Sequence, residues 1–394
     1  MFEEINCQNY LCKDLDEDGV DPIFEEKDGE EADFEKENIL VHSKNYEKFL
    51  EFFQKLNSHD TWEDSIDINT IHTGVLTDEN GDSFNGIQYY DAYEDKHEAR
   101  IFDMAIPSME RISEDTAKGH ARMTTEQILN SMNNYWGLFS FRYIKMLFRG
   151  KKMLSMFTNS YSQVQQDDIM EIIKNNLNQN HPDKWSFKKG FYTHAITNMD
   201  FEVKYDVTKY FHDAWINDFG GHPLALKNAH IKLHVVTNDI GTNALKIYIK
   251  FCVGDSEFDV GNPIRMVHRQ NRSSVVNKFN QELSGIIATT DKETNLLANL
   301  MKIECNNPRN TLLNILRAYN IPHYSIGACR ELVNAVYFRP TENMYVIYSH
   351  LMNIFHTPTG KNLNNDIKLS ISTRLRKMLT DDLKKFDKTT AKEI

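Results

Sequence analysis

The feature that most constrains the fold is an alternating stretch in the middle of the chain, residues 230–260. Apolar and polar side chains alternate along 231–235, and the same pattern returns along 245–251. Between the two runs, residues 238–241 read Asn-Asp-Ile-Gly, which is the composition of a turn. A period of two on both sides of a turn predicts an antiparallel hairpin with one buried face. A third apolar run at 258–260 extends the prediction to a small meander.

The rest of the chain mixes strand and helix patterns. Alternating runs within 66–106 and 186–208 predict further strands, while apolar stripes along 46–56 and 167–177 predict amphipathic helices. The last third carries mainly helical patterns. We therefore predict an α+β fold, in which an antiparallel sheet body with flanking helices is followed by a helical C-terminal third. The predicted regions are an acidic and flexible N-terminal arm at 1–37, an α+β core at 38–285 and a helical region at 286–394.

Two short sequences have the pattern of a capping box, in which Ser or Thr is followed three residues later by Glu or Gln. The first is Thr124–Gln127 and the second is Thr290–Glu293. Apolar residues at helical spacing follow each of them. The sequence therefore predicts one helix that begins after Thr124 and another that begins after Thr290.

The net charge of -12 is concentrated in the N-terminal segment. Residues 1–37 contain 15 Asp and Glu against 3 Lys and Arg, which accounts for the whole imbalance. The remaining chain has 42 acidic and 42 basic residues and is neutral. A neutral body with local basic stretches can bind an anionic partner, and the acidic arm could compete for the same surface or contact a host protein.

The acidic segment also contains one pattern typical of a calcium loop. Asp14, Asp16, Asp18 and Glu25 occupy the positions of the carboxylate ligands in an EF-hand loop, and Gly19 stands at the position of the sharp turn. Position 8 of the pattern holds Asp21 instead of an aliphatic residue, and no amphipathic helix leaves the loop. The alternatives are therefore a calcium site and a solvated acidic segment without any cofactor.

Several classes of protein lack support in the sequence. The five cysteines are scattered without a Cys-x-x-Cys pair, so neither a disulfide framework nor a zinc knuckle is predicted. No apolar run is long enough to span a bilayer and the first residues lack a signal-peptide pattern, so we expect a cytoplasmic protein without a membrane partner. The motifs of nucleotide hydrolysis, dinucleotide binding and serine hydrolysis are also missing.

Two stretches lack acidic residues and combine basic with aromatic or polar side chains. Residues 138–166 contain five Lys and Arg among six aromatic residues, with a predicted turn at Gly150. Residues 260–281 contain four Lys and Arg. Cations neutralise phosphates and aromatic faces stack on unpaired bases, so both stretches favour binding of single-stranded nucleic acid. The alternative is that Phe148 and Phe157 belong to the core and that the lysines are their solvated neighbours.

The order of these features resembles a family of phage- and plasmid-encoded proteins whose domain has no assigned function. The resemblance rests on the basic turn followed by Ser162–Gln165, on the hairpin at 238–245 and on a late helix that ends at His356. It covers about residues 120–285, with a weaker similarity at 340–357. A third family element has no counterpart, because the stretch 267–272 lacks its Cys and its Gly. The resemblance implies an origin in a virus or mobile element and implies no reaction.

The sequence thus favours a non-catalytic protein of a phage or mobile element that binds single-stranded DNA in replication or recombination, as a monomer or as a homo-oligomer. One alternative is a virion or host-modulating protein that acts through protein contacts. Another is a metal-dependent nuclease that uses the histidines at 230 and 234. The predicted nucleic-acid contacts are Arg142, Tyr143, Lys145, Arg149, Lys151, Lys152, Tyr161, Arg265, Arg269 and Arg272.

Overall fold

The structure is a computed structural model in which the described residues form two large β-sheets and, in the last third of the chain, a layer of helices with a small two-stranded sheet of Glu304–Cys305 and Glu342–Asn343. The α+β class predicted from the sequence is confirmed, including the antiparallel pairing of most strands. The structure describes residues 10–17, 23–25, 30–91, 93–112, 123–136, 142–162, 164–206, 229–240, 245–253, 256–260, 263–266 and 272–394.

Sheet A contains eight strands and includes the predicted meander. Its order is β1-β2-β9-β10-β11-β12-β13, with β14 also paired to β12. All neighbours are antiparallel except β1 and β2. The strands are β1 (Leu11–Asp14), β2 (Ile39–Ser43), β9 (Trp185–Thr193), β10 (Ile196–Lys204), β11 (His230–Thr237), β12 (Leu245–Val253), β13 (Ser256–Asp259) and β14 (Ile264–Met266).

Sheet B contains six strands in the order β3-β7-β8-β6-β5-β4, and its only parallel pair among the described residues is β6 with β8. The sequence predicted one sheet body, whereas the structure distributes the strands of that body over two sheets. The strands are β3 (Asp60–Asp67), β4 (His72–Thr77), β5 (Ser83–Tyr90), β6 (Lys96–Ile101), β7 (Tyr143–Arg149) and β8 (Lys152–Thr158).

The helices predicted at 46–56 and 167–177 are present, whereas the helices at Ile106–Ile112 and Arg272–Ser284 were not predicted. The capping box at Thr124 is present, and both of its hydrogen bonds are formed. The helix predicted to begin after Thr290 instead begins at Ile286, so that Thr290 lies inside it, buried. The helices are α1 (Tyr46–Ser58), α2 (Ile106–Ile112), α3 (Thr125–Met132), α4 (Gln166–Asn180), α5 (Arg272–Ser284), α6 (Ile286–Leu300), α7 (Pro308–Ala318), α8 (Pro322–Ala335), α9 (Met344–Met352), α10 (Pro358–Lys361) and α11 (Asn365–Lys377).

One face of sheet A forms the larger core. Ile231, Leu233 and Val235 of β11 are buried together with side chains of α1, α4 and the C-terminal helices. The approach is close, because a Cβ atom on Gly190 would lie 2.2 Å from the ring of Phe49 in α1. The alternation predicted for the meander is thus confirmed, with its apolar residues buried and its polar residues on the opposite face.

Candidate functional site

The basic stretch predicted from the sequence forms the hairpin β7–β8, and its turn lies at Gly150 as expected. Gly150 has a φ of +57°, a conformation that favours glycine. A Cβ atom there would lie 1.8 Å from the carboxylate of Glu35. The turn of the hairpin is therefore covered by a residue of the acidic N-terminal segment.

Arg149, at the end of β7, is a correction to the predicted phosphate contacts. Its side chain is 0% exposed, and Nε and Nη2 donate to the two carboxylate oxygens of Asp60 at 2.6 and 2.9 Å. Nη1 donates to Asp239 at 2.8 Å and to the hydroxyl of Tyr192 at 2.5 Å. A guanidinium that is enclosed and committed to two carboxylates cannot contact phosphate in this arrangement.

These contacts join the two sheets. Arg149 and Asp60 belong to sheet B, while Tyr192 lies in β9 and Asp239 follows β11 in sheet A. Asp239 also accepts hydrogen bonds from Tyr192 at 2.8 Å and from Gln166, the first residue of α4. The network is thus a buried polar joint, and burial makes it costly to leave any member without a partner.

His194 completes the joint as a neutral imidazole. Its Nε2 donates to the carbonyl of Lys36 at 3.0 Å, and its Nδ1 lies 2.8 Å from the Tyr192 hydroxyl. A carbonyl can only accept, which assigns the proton to Nε2. Burial, together with the nearby Arg149 charge, lowers the pKa of His194 to about 3. The ring therefore stays uncharged at neutral pH.

The other basic side chains of the hairpin are also close to carboxylates. Lys151 is exposed, and its backbone N–H donates to Glu35 at 3.3 Å. The remaining three form ion pairs with residues that lie far away in the sequence. These pairs are Arg142 with Asp67 at 2.8 Å, Lys145 with Asp64 at 3.2 Å, and Lys152 with Glu31 at 2.7 Å.

The aromatic residues of the hairpin divide between core and surface. Phe148 and Phe157 are buried, in agreement with the alternative that assigned them to the core. Tyr143 is 41% exposed, and the guanidinium of Arg142 lies 5.3 Å from its ring centroid. Tyr161 is half-buried and stacks on Phe157 with 4.0 Å between centroids. Tyr143 is therefore the more accessible of the two predicted stacking residues.

The second basic stretch is described only in part. Arg265 is exposed in β14 and pairs in register with Lys246 of β12. Arg269 lies outside the described residues. Arg272 begins α5, but its side chain is not among those described. Of this stretch, the structure thus places one predicted contact on sheet A.

The polar face of sheet A brings together charged side chains from strands that lie far apart in the sequence, so no local pattern predicted this surface. On the four central strands and their edge, this outer face carries seven Lys and Arg against four Asp and Glu, a net charge of +3 with neutral histidines. Two aromatic residues, Phe191 and Tyr248, lie on the same face by register. The charged residues are Lys188, Lys189, Asp200, Glu202, Lys204, Lys232, Lys246, Lys250, Glu257, Asp259 and Arg265.

At the centre of the outer face, carboxylates of β10 meet histidines of β11. Asp200 lies 2.6 Å from Nδ1 of His234 and 3.5 Å from Nζ of Lys232. Glu202 lies 3.5 Å from Nε2 of His230. Burial raises the pKa of Asp200, but the hydrogen bond with His234 and the charges of Lys232 and Lys189 outweigh it and hold the pKa below its usual value. Asp200 is therefore a carboxylate at neutral pH.

The described part of the N-terminal acidic segment is packed against the body. Ala32, Phe34 and Glu35 are each at most 3% exposed. Asp16 accepts hydrogen bonds from Ser43 at 2.7 Å and from the backbone of Lys44 at 2.6 Å. Asp14 belongs to β1, Glu25 is exposed, and Asp18 lies outside the described residues. The calcium loop therefore stays a prediction.

In the described part of the chain, no three His, Cys, Asp or Glu side chains are arranged to hold a metal ion. Within the same ranges, none of the helices combines the length and apolar character needed to cross a bilayer.

Comparisons with protein families, with curated proteins and with solved structures gave no match to this chain. The phage and plasmid origin implied by the sequence motifs therefore stays a prediction.

Proposed function

We propose that the protein binds single-stranded nucleic acid through the outer face of sheet A. The observation that carries the proposal is the composition of this face, a net charge of +3 with aromatic residues between the cations. An antiparallel sheet that stacks bases on aromatic side chains, with cations around them for the phosphates, is a recurrent way to bind single strands. Arg265, predicted from the sequence, is part of this surface.

The hairpin β7–β8 is the weaker candidate for the same role. Its cations lie beside carboxylates of β3 and of the N-terminal segment, which lowers the local positive charge. On the outer face, Lys188, Lys189, Lys204 and Arg265 are all exposed, and Lys188 forms an ion pair with Glu202 at 2.9 Å. The outer face keeps a net charge of +3 after its own carboxylates are counted, so we place the principal contacts there.

The test is fluorescence anisotropy with labelled single-stranded DNA, RNA and duplex DNA over a range of salt concentrations. We expect single strands to bind best and affinity to fall steeply with salt, because phosphate contacts release counterions. Lys204→Ala and Arg265→Ala should each weaken binding and lower the slope of log K against log salt by about 0.7 to 0.9.

Matched variants on the hairpin decide between the two surfaces. Arg142→Ala and Lys145→Ala remove the same charges from positions paired with carboxylates. On the outer-face proposal they leave the salt slope unchanged. If these variants weaken binding and the outer-face variants do not, the contacts lie on the hairpin, and if no nucleic acid binds the wild type, the proposal is wrong.

A second candidate function is metal-dependent phosphoryl transfer on nucleic acid. It is favoured by Asp200 and Glu202, two carboxylates on one strand face that lie beside His230 and His234. Magnesium is commonly held by one or two carboxylates together with the phosphates of the substrate, so a complete protein cage is not required. The surrounding lysines could then hold the phosphates while the metal stabilises the developing charge.

This candidate is tested by incubating labelled single strands with Mg²⁺ or Mn²⁺, with and without nucleoside triphosphates. Cleavage would shorten the strand and nucleotidyl transfer would lengthen it. Asp200→Asn should reduce either activity at least about 100-fold, because metal catalysis contributes several kcal/mol. Asp64→Asn, an exposed carboxylate beside the hairpin, is the control and should retain activity. Strands of unchanged length would exclude this candidate.

A further inference from the structure

Asn198 has an unusual position on the outer face of sheet A. It lies on β10 two residues before Asp200, and the alternation of the strand places both side chains on the same face. Its partners in register are Phe191 on β9 and Val236 on β11. The amide therefore lies between two apolar side chains in the row next to the Asp200–His234 pair.

The amide group of Asn198 is buried without hydrogen bonds. The residue is 5% exposed, and within the described part of the chain neither its oxygen nor its nitrogen has a partner. A buried polar group that lacks partners destabilises the folded protein, and native proteins keep few of them. An apolar residue would be more favourable between Phe191 and Val236. The unpaired amide therefore indicates a ligand that completes its hydrogen bonds.

We propose that Asn198 recognises the edge of a nucleobase and prefers adenine. A carboxamide presents an acceptor and a donor side by side, and this pair matches the N6 amino group and N7 of adenine in a bidentate contact. This inference rests on the proposed function, since it names the base that the outer face selects. The neighbouring ring of Phe191 offers a surface for stacking, which fits a base placed at this position.

Two cations in the same row as Asn198 could bind the phosphate of the same nucleotide. In the row that contains Asn198, β12 contributes Lys246 opposite Val236, and β14 contributes Arg265 opposite Lys246. The order along the row is thus aromatic ring, amide, apolar side chain and two cations. A nucleotide lying across the strands would place its base on the amide and its phosphate toward the cations.

The experiment compares three forms of the full chain: wild type, Asn198→Asp and Thr197→Val. Thr197 is the matched control, because its hydroxyl is also buried and without a partner among the described residues, but it points to the opposite face of the same strand. Each form is titrated with dA, dC and dT homopolymers. Stabilisation against heating is measured with each of the four deoxynucleoside triphosphates.

We expect the wild type to bind dA about tenfold more tightly than the other homopolymers, as one bidentate base contact allows. Asn198→Asp should lose this preference and favour dC, because a carboxylate accepts from the cytosine amino group. Thr197→Val should keep the wild-type preference. The salt slope should be the same in all three forms, since the phosphate contacts are retained.

The outcomes separate this inference from the proposed function. Binding of all homopolymers with an order that Asn198→Asp does not change would overturn the role of Asn198 and leave the binding face standing. Stabilisation by dATP that Asn198→Asp removes, without binding of any homopolymer, would support the base contact and overturn single-strand binding. The absence of both homopolymer binding and nucleotide stabilisation would overturn both.

Discussion

Two arginine–aspartate pairs lie at opposite ends of the paired strands β3 and β7, with Arg149 as the last residue of β7 and Arg142 as the residue just before it. At one end Arg149 pairs with Asp60, and the side chains are 0% and 2% exposed. At the other end Arg142 pairs with Asp67, and the side chains are 67% and 21% exposed. The chemical groups and the pairing of strands are the same, whereas the environments are opposite.

The difference shows that burial, and not the identity of the charges, decides what such a pair does. The exposed pair is screened by water and competes with solvation of both groups. The buried pair is not solvated, and its arginine is instead hydrogen-bonded to side chains of both sheets, including Tyr192 and Asp239. The exposed end can therefore change partner at little cost, while the buried end fixes how the sheets meet.

The largest expected effect is that of removing the charge at the buried end. Arg149→Met should destabilise the protein by about 3 to 5 kcal/mol, because it leaves the carboxylates of Asp60 and Asp239 buried without their cation. Chemical denaturation followed by circular dichroism measures the change. If the variant does not fold, it should accumulate as less soluble protein than the wild type, and this loss would also show that Arg149 is required for stability.

A triple variant distinguishes lost charge balance from lost packing. Arg149→Met combined with Asp60→Asn and Asp239→Asn removes the uncompensated charges and should recover part of the stability lost in the single variant. A triple variant that is less stable than Arg149→Met would contradict the electrostatic explanation. The stability lost in Arg149→Met would then come from lost packing and not from unpaired charges.

The next effect is a dependence of stability on pH that arises from His194. In the unfolded chain a histidine takes up a proton near its ordinary pKa of 6.5, whereas the folded-state pKa is lowered to about 3. Between these values the unfolded state binds more protons, so stability is lost as the pH falls below 6.5, by about 1.4 kcal/mol per unit for this residue. The measurement is the free energy of unfolding from pH 7 to pH 4.

His194→Gln is the variant that isolates this contribution. Glutamine keeps a donor and an acceptor but does not titrate. The stability of the variant should therefore fall less steeply with decreasing pH than that of the wild type. The carboxylates contribute equally to the pH dependence of both proteins. Parallel curves would mean that His194 can be protonated in the folded protein without cost, which contradicts its burial in the joint.

The sequence predicted those parts of the fold that depend on local patterns. The alternation of 231–235 placed the correct side chains in the core, and the box at Thr124 gave the correct start of α3. The capping box at Thr290 did not mark the start of a helix. The residues before it are also helical, and tertiary packing sets the start of the helix at Ile286. Local signals compete with packing, and packing decides where both are possible.

The sites depend on contacts between distant residues, and here sequence patterns were insufficient. The hairpin looked basic because its neutralising partners, Asp60, Asp64 and Asp67, come about eighty residues earlier. One signal for the outer face was present, since Asn198, Asp200 and Glu202 alternate with apolar residues. Only the register of β10 with β11 shows that these residues meet His230 and His234.

The smallest expected effect lies at the exposed end of the strand pair. Arg142→Ala should leave the midpoint of chemical denaturation unchanged within error, because many exposed ion pairs contribute nothing measurable. High salt should not alter this result, since there is little attraction to screen. A clear loss of stability in low salt that disappears in high salt would show that Asp67 holds Arg142 firmly. Arg142 would then be as unavailable to phosphate as Arg149, and the two ends of the strand pair would differ in burial but not in function.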